Sequence, residues 1–118
     1  MVRRGDVVIV YFPFLNGEGG KKRPALVVQS DLNNRRLDHT MLAMMTGNVT
    51  RAAKVATQLL VDPSTPDGAS TGLSGLSALK CEHLLTIHQR DVRITIGQFD
   101  AKLMARVDAC LKAAFDLK

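Results

Sequence analysis

Aromatic side chains are scarce in this sequence, which has no tryptophan and only five rings: Tyr11, Phe12, Phe14, Phe99 and Phe115. That scarcity argues against a nucleic-acid surface built from successive base-stacking platforms. Tyr11, Phe12 and Phe14 also cluster in one apolar stretch, where a place in a core strand is the simpler expectation. Cysteine is just as sparse. Cys81 and Cys110 lie far apart among apolar neighbours and make no CxxC pair, so both read as buried, reduced thiols. His39, His83 and His88 are scattered, with neither HExxH nor Cys/His spacing, and no metal or other cofactor is expected. Long apolar runs are missing too. Nothing approaches bilayer-spanning length, and Met1 to Asp6 lacks the apolar core of a secretory signal. A cytoplasmic protein without membrane contact is expected. The glycine-rich stretch before Lys21 does not match GxxxxGK[ST], so nucleotide hydrolysis of the P-loop type is not supported. No internal repeat is visible.

What the chain does have is positive charge, +5 overall in 118 residues. A chain of that length makes a single domain, residues 1–118, with a real hydrophobic core. Its charge favours a polyanionic partner, with nucleic acid the first candidate.

Val7 to Phe12 is β-branched and aromatic and reads as a buried first strand, closed by Pro13. Leu15 to Lys22 reads as a charged hairpin loop. A second strand is expected over Ala25 to Gln29, a loop or short turn over Asn33 to Asp38, and a third strand over Met41 to Met45. Val55 to Val61 and Ser77 to Leu85 are further strands. Between them, Pro63 to Gly75 is rich in Ser, Thr, Gly and Pro and reads as a surface loop. Thr86 to Val92 reads as a turn, and Ile94 to Ile96 as a short extended piece. Asp100 is placed to N-cap a helix carrying Leu103, Val107, Leu111 and Ala114 at helical spacing. Strands followed by one C-terminal helix imply a mostly β or α+β fold.

Two charged features stand out. In Lys21-Lys22-Arg23-Pro24-Ala25-Leu26-Val27-Val28 a cationic cluster runs directly into a strand. Pro24 biases Arg23 towards an extended backbone, so the arginine hangs at the mouth of that strand. Taken alone, the segment reads first as a solvated turn, and second as the rim of an anion site. In Leu79-Lys80-Cys81-Glu82 the alternation of a strand buries Leu79 and Cys81 and turns Lys80 and Glu82 outward together. Taken alone, that pair is a solvated ion pair of little energetic weight.

Together with Arg4-Gly5-Asp6-Val7-Val8, the Met45-Thr46-Gly47 corner and Ile96-Gly97-Gln98-Phe99 before the last helix, these segments resemble, in the same order, the MazF/PemK-type toxins of bacterial toxin–antitoxin pairs. The resemblance implies a small SH3-like barrel of about five to seven strands with a C-terminal helix, assembled as a homodimer. It also implies a sequence-specific endoribonuclease that cuts single-stranded mRNA without metal, held in check by a small acidic cognate antitoxin. The family's Arg-Pro falls on Arg23 and its catalytic Thr on Thr46. Its Arg and Asp around a central Cys fall on Lys80 and Glu82, where Lys lacks the guanidinium fork and Glu is one methylene longer. RNA carries its own nucleophile, the 2′-OH, so such a site needs a base, an acid and positive charge. Glu82 is then the candidate base and Lys80 the acid or charge stabiliser. Arg23 would bind the phosphate through its fork, and Thr46 would hydrogen-bond it. Lys21 and Lys22 would attract the RNA backbone, and the loops 15–22 and 63–75 would read bases. A second reading on the same fold is a non-catalytic toxin that binds and poisons DNA gyrase.

Overall fold

The computed structural model describes residues 1–13 and 17–118, in which six strands form one antiparallel sheet. The strands are β1 (Asp6–Pro13), β2 (Gly20–Val27), β3 (His39–Thr46), β4 (Gln58–Val61), β5 (Ser77–His88) and β6 (Ile94–Gln98), in the spatial order β4-β5-β3-β2-β1-β6. Helix α1 (Asp31–Arg36) links β2 to β3, and α2 (Ala101–Phe115) closes the chain. A six-stranded curled sheet with a C-terminal helix agrees with the small β-rich fold expected from sequence. Among the described residues no helix is long and apolar enough to cross a membrane.

Each face of the sheet has its own core, as strict alternation along the strands requires. Val7, Leu26, Ala43, Met45, Leu79 and Cys81 face one way, where Leu103, Met104, Val107 and Cys110 of α2 cover them. Val8, Val10, Ala25, Val27, Leu42 and Met44 face the other way, covered at the margins by Val2, Leu85, Ile87 and Val92. The helical spacing read from sequence holds, with Leu103 and Val107 buried and Leu111 and Ala114 packed at the edge. Asp100 caps α2 by accepting from the Leu103 N–H at 2.8 Å.

The Arg4-Gly5-Asp6 segment turns out to be a structural clasp. Gly5 takes φ +98°, a backbone setting that side chains disfavour, and its N–H donates to the Val27 carbonyl at 2.9 Å. Arg4 Nε donates to the Val28 carbonyl at 2.9 Å, and its Nη2 reaches Asp108 Oδ1 of α2 at 2.6 Å. Buried Asp6 accepts from the Arg3 N–H and from Gln98 Nε2. The segment thus ties β2, β6 and α2 together.

Several sequence expectations are corrected. The second strand begins at Gly20 rather than Ala25, because Lys21 and Lys22 pair with Phe12 and Tyr11 across the β1–β2 hairpin. Nothing in an exposed Lys-Lys pair betrays that ladder. Leu15 and Asn16, part of the expected loop, and Phe14 lie outside the described residues. Tyr11 is 48% exposed rather than core, whereas Phe12 does pack on the second core. The polar segment after Ser30 is a helix. Ser30 Oγ caps it, and buried Asn34 accepts from both Gln29 Nε2 and Thr40 Oγ1, which satisfies an otherwise costly polar group. Strand β5 runs on to His88, because Thr86 and Ile87 pair with Met41 and Thr40. The 63–75 segment holds a 3₁₀ turn over Pro66–Thr71 and is pinned to β6, with Ser70 Oγ donating to the Gln98 carbonyl at 2.9 Å. At Gly72 (φ +73°) a Cβ would come within 2.0 Å of the Ile96 carbonyl oxygen, so only glycine permits that approach.

Candidate active site

Register decides which charged residues share a face. Lys80 stands opposite Met44 on β3 and opposite Gln58 on β4. Cross-strand partners point the same way, so Lys80 and Gln58 lie on the Met44 face, away from α2. Thr46, two residues beyond Met44, lies there too, as does Arg23, two residues before Ala25. The β2–β3 ladder pairs Ala25 with Met44, and the same register carried two residues further brings Arg23 level with Thr46. The sequence-derived set of Arg23, Thr46, Lys80 and Glu82 is therefore brought to one face by three strands.

Thr46 and Lys80 line a cleft of about 100 Å³ with Asn48, Thr50, Arg51 and Gln58. This lining carries two cations and several hydroxyl and amide groups but no carboxylate, a donor set suited to a phosphate. Thr46 Oγ1 accepts from the Asn48 N–H at 3.1 Å, which fixes the hydroxyl oxygen at the strand's end. Arg23 stands half-buried beside the cleft without lining it. Neither Arg23 nor Lys80 has a side-chain partner among the described residues, so both donors are free for a ligand. Lys21 and Lys22 are exposed further along β2.

Glu82 owes its position to a break in β5. Ala43 pairs with Leu84, but the next residue on β3, Met44, pairs with Lys80. Cys81, Glu82 and His83 therefore bulge out of the β3 ladder, a local device that re-aims side chains. Cys81 still turns into the core, as the alternation required, while Glu82 is exposed. The bulge sends the Glu82 carboxylate towards β4. There Gln58 Nε2 donates to Oε1 at 2.7 Å, and the Thr57 hydroxyl donates to Oε2. The expected Lys80–Glu82 ion pair is not formed; Glu82 is held instead by neutral donors. His83, from the same bulge, meets Phe12 of β1 edge to face, with ring centroids 5.2 Å apart.

Sequence reasoning missed Asn48, Thr50, Arg51, Thr57 and Gln58. Asn48, Thr50 and Arg51 belong to the β3–β4 connection, which carries no motif, and Thr57 and Gln58 fall in the expected Val55 to Val61 strand, which in fact begins only at Gln58. The 63–75 segment, expected to flank the site, supplies none of the cleft's lining.

The two thiols lie beneath this face. Burial pushes the Cys81 thiol up to about 12, with Cys110 and Glu82 adding to the rise, and burial likewise raises Cys110. Cys110 Sγ approaches the Gln58 carbonyl at 3.7 Å, which places α2 directly behind β4.

Comparison with known proteins places the chain in a family. A family model described as a PemK-like, MazF-like toxin of type II toxin–antitoxin systems matches residues 3–115. The chain belongs to this family. This PemK/MazF-like chain is similar to the endoribonuclease EndoA of Bacillus subtilis, 29% identical over 118 residues that cover 99% of this chain and 97% of the relative. It is 32% identical over 106 residues to the endoribonuclease MazF6 of Mycobacterium tuberculosis, covering 89% of this chain and 88% of the relative. Its fold is similar to that of a mycobacterial endoribonuclease solved in complex with its cognate antitoxin, with a TM-score of 0.76, 20% identity and coverage of 100% and 98%.

Proposed function

We propose that this toxin-family chain is a metal-independent endoribonuclease that cleaves single-stranded mRNA at specific sequences in the cytoplasm, works as a homodimer, and is neutralised by a small acidic antitoxin. The observation that carries this reading is the convergence of Arg23, Thr46, Lys80 and Glu82 on the sheet face opposite α2, where the cleft offers cations, hydroxyls and amides.

The chemistry follows from those groups. Glu82 accepts the 2′-OH proton as the 2′ oxygen attacks phosphorus. Thr57 and Gln58 each occupy one lone pair on its carboxylate, and the remaining lone pairs stay open for that proton. Charge builds on the non-bridging oxygens, where the Arg23 fork and the Thr46 hydroxyl donate. Lys80 donates to the departing 5′ oxygen as the P–O5′ bond breaks. The products are a 2′,3′-cyclic phosphate and a free 5′-OH. Every protein group in this scheme acts as a proton donor or acceptor, and the scheme calls on no metal.

The deciding experiment incubates the protein with a long single-stranded RNA in EDTA and maps the ends. Discrete cuts bearing 2′,3′-cyclic phosphates, slowed by orders of magnitude in Arg23→Ala and Glu82→Gln, are the expected result. RNA left intact over a range of salt concentrations, with DNA gyrase inhibited instead, would sink the reading in favour of a non-catalytic toxin.

A further inference from the structure

We propose that Thr57 and Gln58 are positioning residues for cleavage, a two-pronged clamp that holds the Glu82 carboxylate at the edge of the cleft. The inference rests on Glu82 acting as the base, and goes beyond it by naming what makes an exposed, three-torsion side chain usable as one.

A glutamate on an exposed bulge samples many rotamers, and confining such a side chain costs conformational entropy. Here both carboxylate oxygens are engaged by different residues, Oε1 by Gln58 Nε2 and Oε2 by the Thr57 hydroxyl. The clamp itself is anchored. Gln58 is only 9% exposed, pairs with Lys80 in the β4–β5 ladder, and accepts the Cys110 thiol on its carbonyl. The Thr57 carbonyl accepts the Cys81 N–H at 3.0 Å, so the residue beside Glu82 is bound to the residue that grips Glu82. Of the residues lining the cleft, Gln58 is the one hydrogen-bonded to Glu82 among the described residues. Its amide therefore sets the carboxylate's direction relative to Lys80. Two neutral donors serve this purpose better than a cation, because they orient the carboxylate without neutralising its charge.

The test measures single-turnover rates and KM on an RNA containing a mapped cut site, using Thr57→Val, Thr57→Ser and Gln58→Leu, each alone and the first also in a Glu82→Gln background. Misplacing a reacting group by an ångström can cost about 100-fold. Thr57→Val and Gln58→Leu should accordingly lower the cleavage rate by about 10- to 100-fold with KM within about twofold, while Thr57→Ser, which keeps the hydroxyl, stays near wild type. In Glu82→Gln, adding Thr57→Val should cost nothing more, because the clamp acts only through the carboxylate. Additive losses in that background, or a rise in KM at unchanged rate, would overturn the clamp while leaving Glu82 as base. Glu82→Gln cutting as fast as wild type would overturn the underlying base assignment, and the clamp with it. Gln58 is buried, so Leu there can disturb folding; half-buried Thr57 keeps the test decisive, with thermal melts confirming the fold.

Discussion

Phe12 and His83 meet edge to face at 5.2 Å although their strands, β1 and β5, are separated in the sheet by β2 and β3. The contact requires the sheet to curl over the face that carries Arg23, Thr46 and Lys80. It therefore reports on the shape of the proposed site. Edge-to-face aromatic pairs contribute about 0.5–1.5 kcal/mol beyond burial. A double-mutant cycle of Phe12→Leu and His83→Leu, followed by chemical unfolding, should return a coupling of about 1 kcal/mol. A coupling indistinguishable from zero would mean the two ends of the curl are independent.

Arg23 lies level with Thr46 and has no side-chain partner among the described residues, so its fork is free for a phosphate. Removing one preorganised donor to a developing oxyanion typically costs about 100- to 1000-fold in rate. Arg23→Ala should fall in that range without loss of stability. Arg23→Lys should restore only a minor part, because a point charge cannot make two parallel hydrogen bonds. Full recovery in Arg23→Lys would show that charge alone suffices at this position.

Arg51 lines the cleft from the β3–β4 connection. Its expected part is binding rather than chemistry. Arg51→Ala should raise KM severalfold with little change in the cleavage rate. It should also flatten the salt dependence of binding by about 0.7 in logarithmic slope, the value for one phosphate contact on a single strand. An unchanged slope in a filter-binding titration would remove Arg51 from the RNA path.

The thiols give a pH prediction. Cys81 is raised to about 12 by burial, against an ordinary thiol value of 9.0, and Cys110 is raised as well. A raised thiol means that the native state favours the neutral form. Its stabilising contribution is complete below the unfolded value and is lost as pH climbs from 9 towards 12. The denaturant midpoint of the wild type should therefore drop more steeply between pH 9 and 11 than that of Cys81→Ala. At pH 8 neither thiol should react with iodoacetamide until the chain unfolds. Rapid alkylation of the native protein would show that this core opens readily.

The elements written most plainly in the sequence were those whose burial follows a period. β1, β3, β5 and α2 were legible because Val7, Met45, Leu79, Cys81, Leu103 and Val107 recur at strand or helix spacing and face a common core. Asp100 marked the start of α2 through local capping alone. By contrast, α1 depends on a buried polar network between Asn34, Gln29 and Thr40, whose partners are brought together only when β3 folds back. Lys21 and Lys22 belong to β2 through ladder bonds to β1, which carry no side-chain signature.

The same division runs through the site. Arg23, Thr46, Lys80 and Glu82 could be named from residue type, strand alternation and family resemblance, since each sits in a short recognisable segment. Residue pattern also determined that Cys81 is buried between two outward-facing charges. What only the tertiary structure decided is which groups those charges meet. The slip of β5 against β3 at Met44 turns Glu82 away from an ion pair with Lys80 and into the grip of Thr57 and Gln58. It does so because a register shift is set by the competition of two neighbouring strands for one set of hydrogen bonds, and no single strand's sequence carries that information.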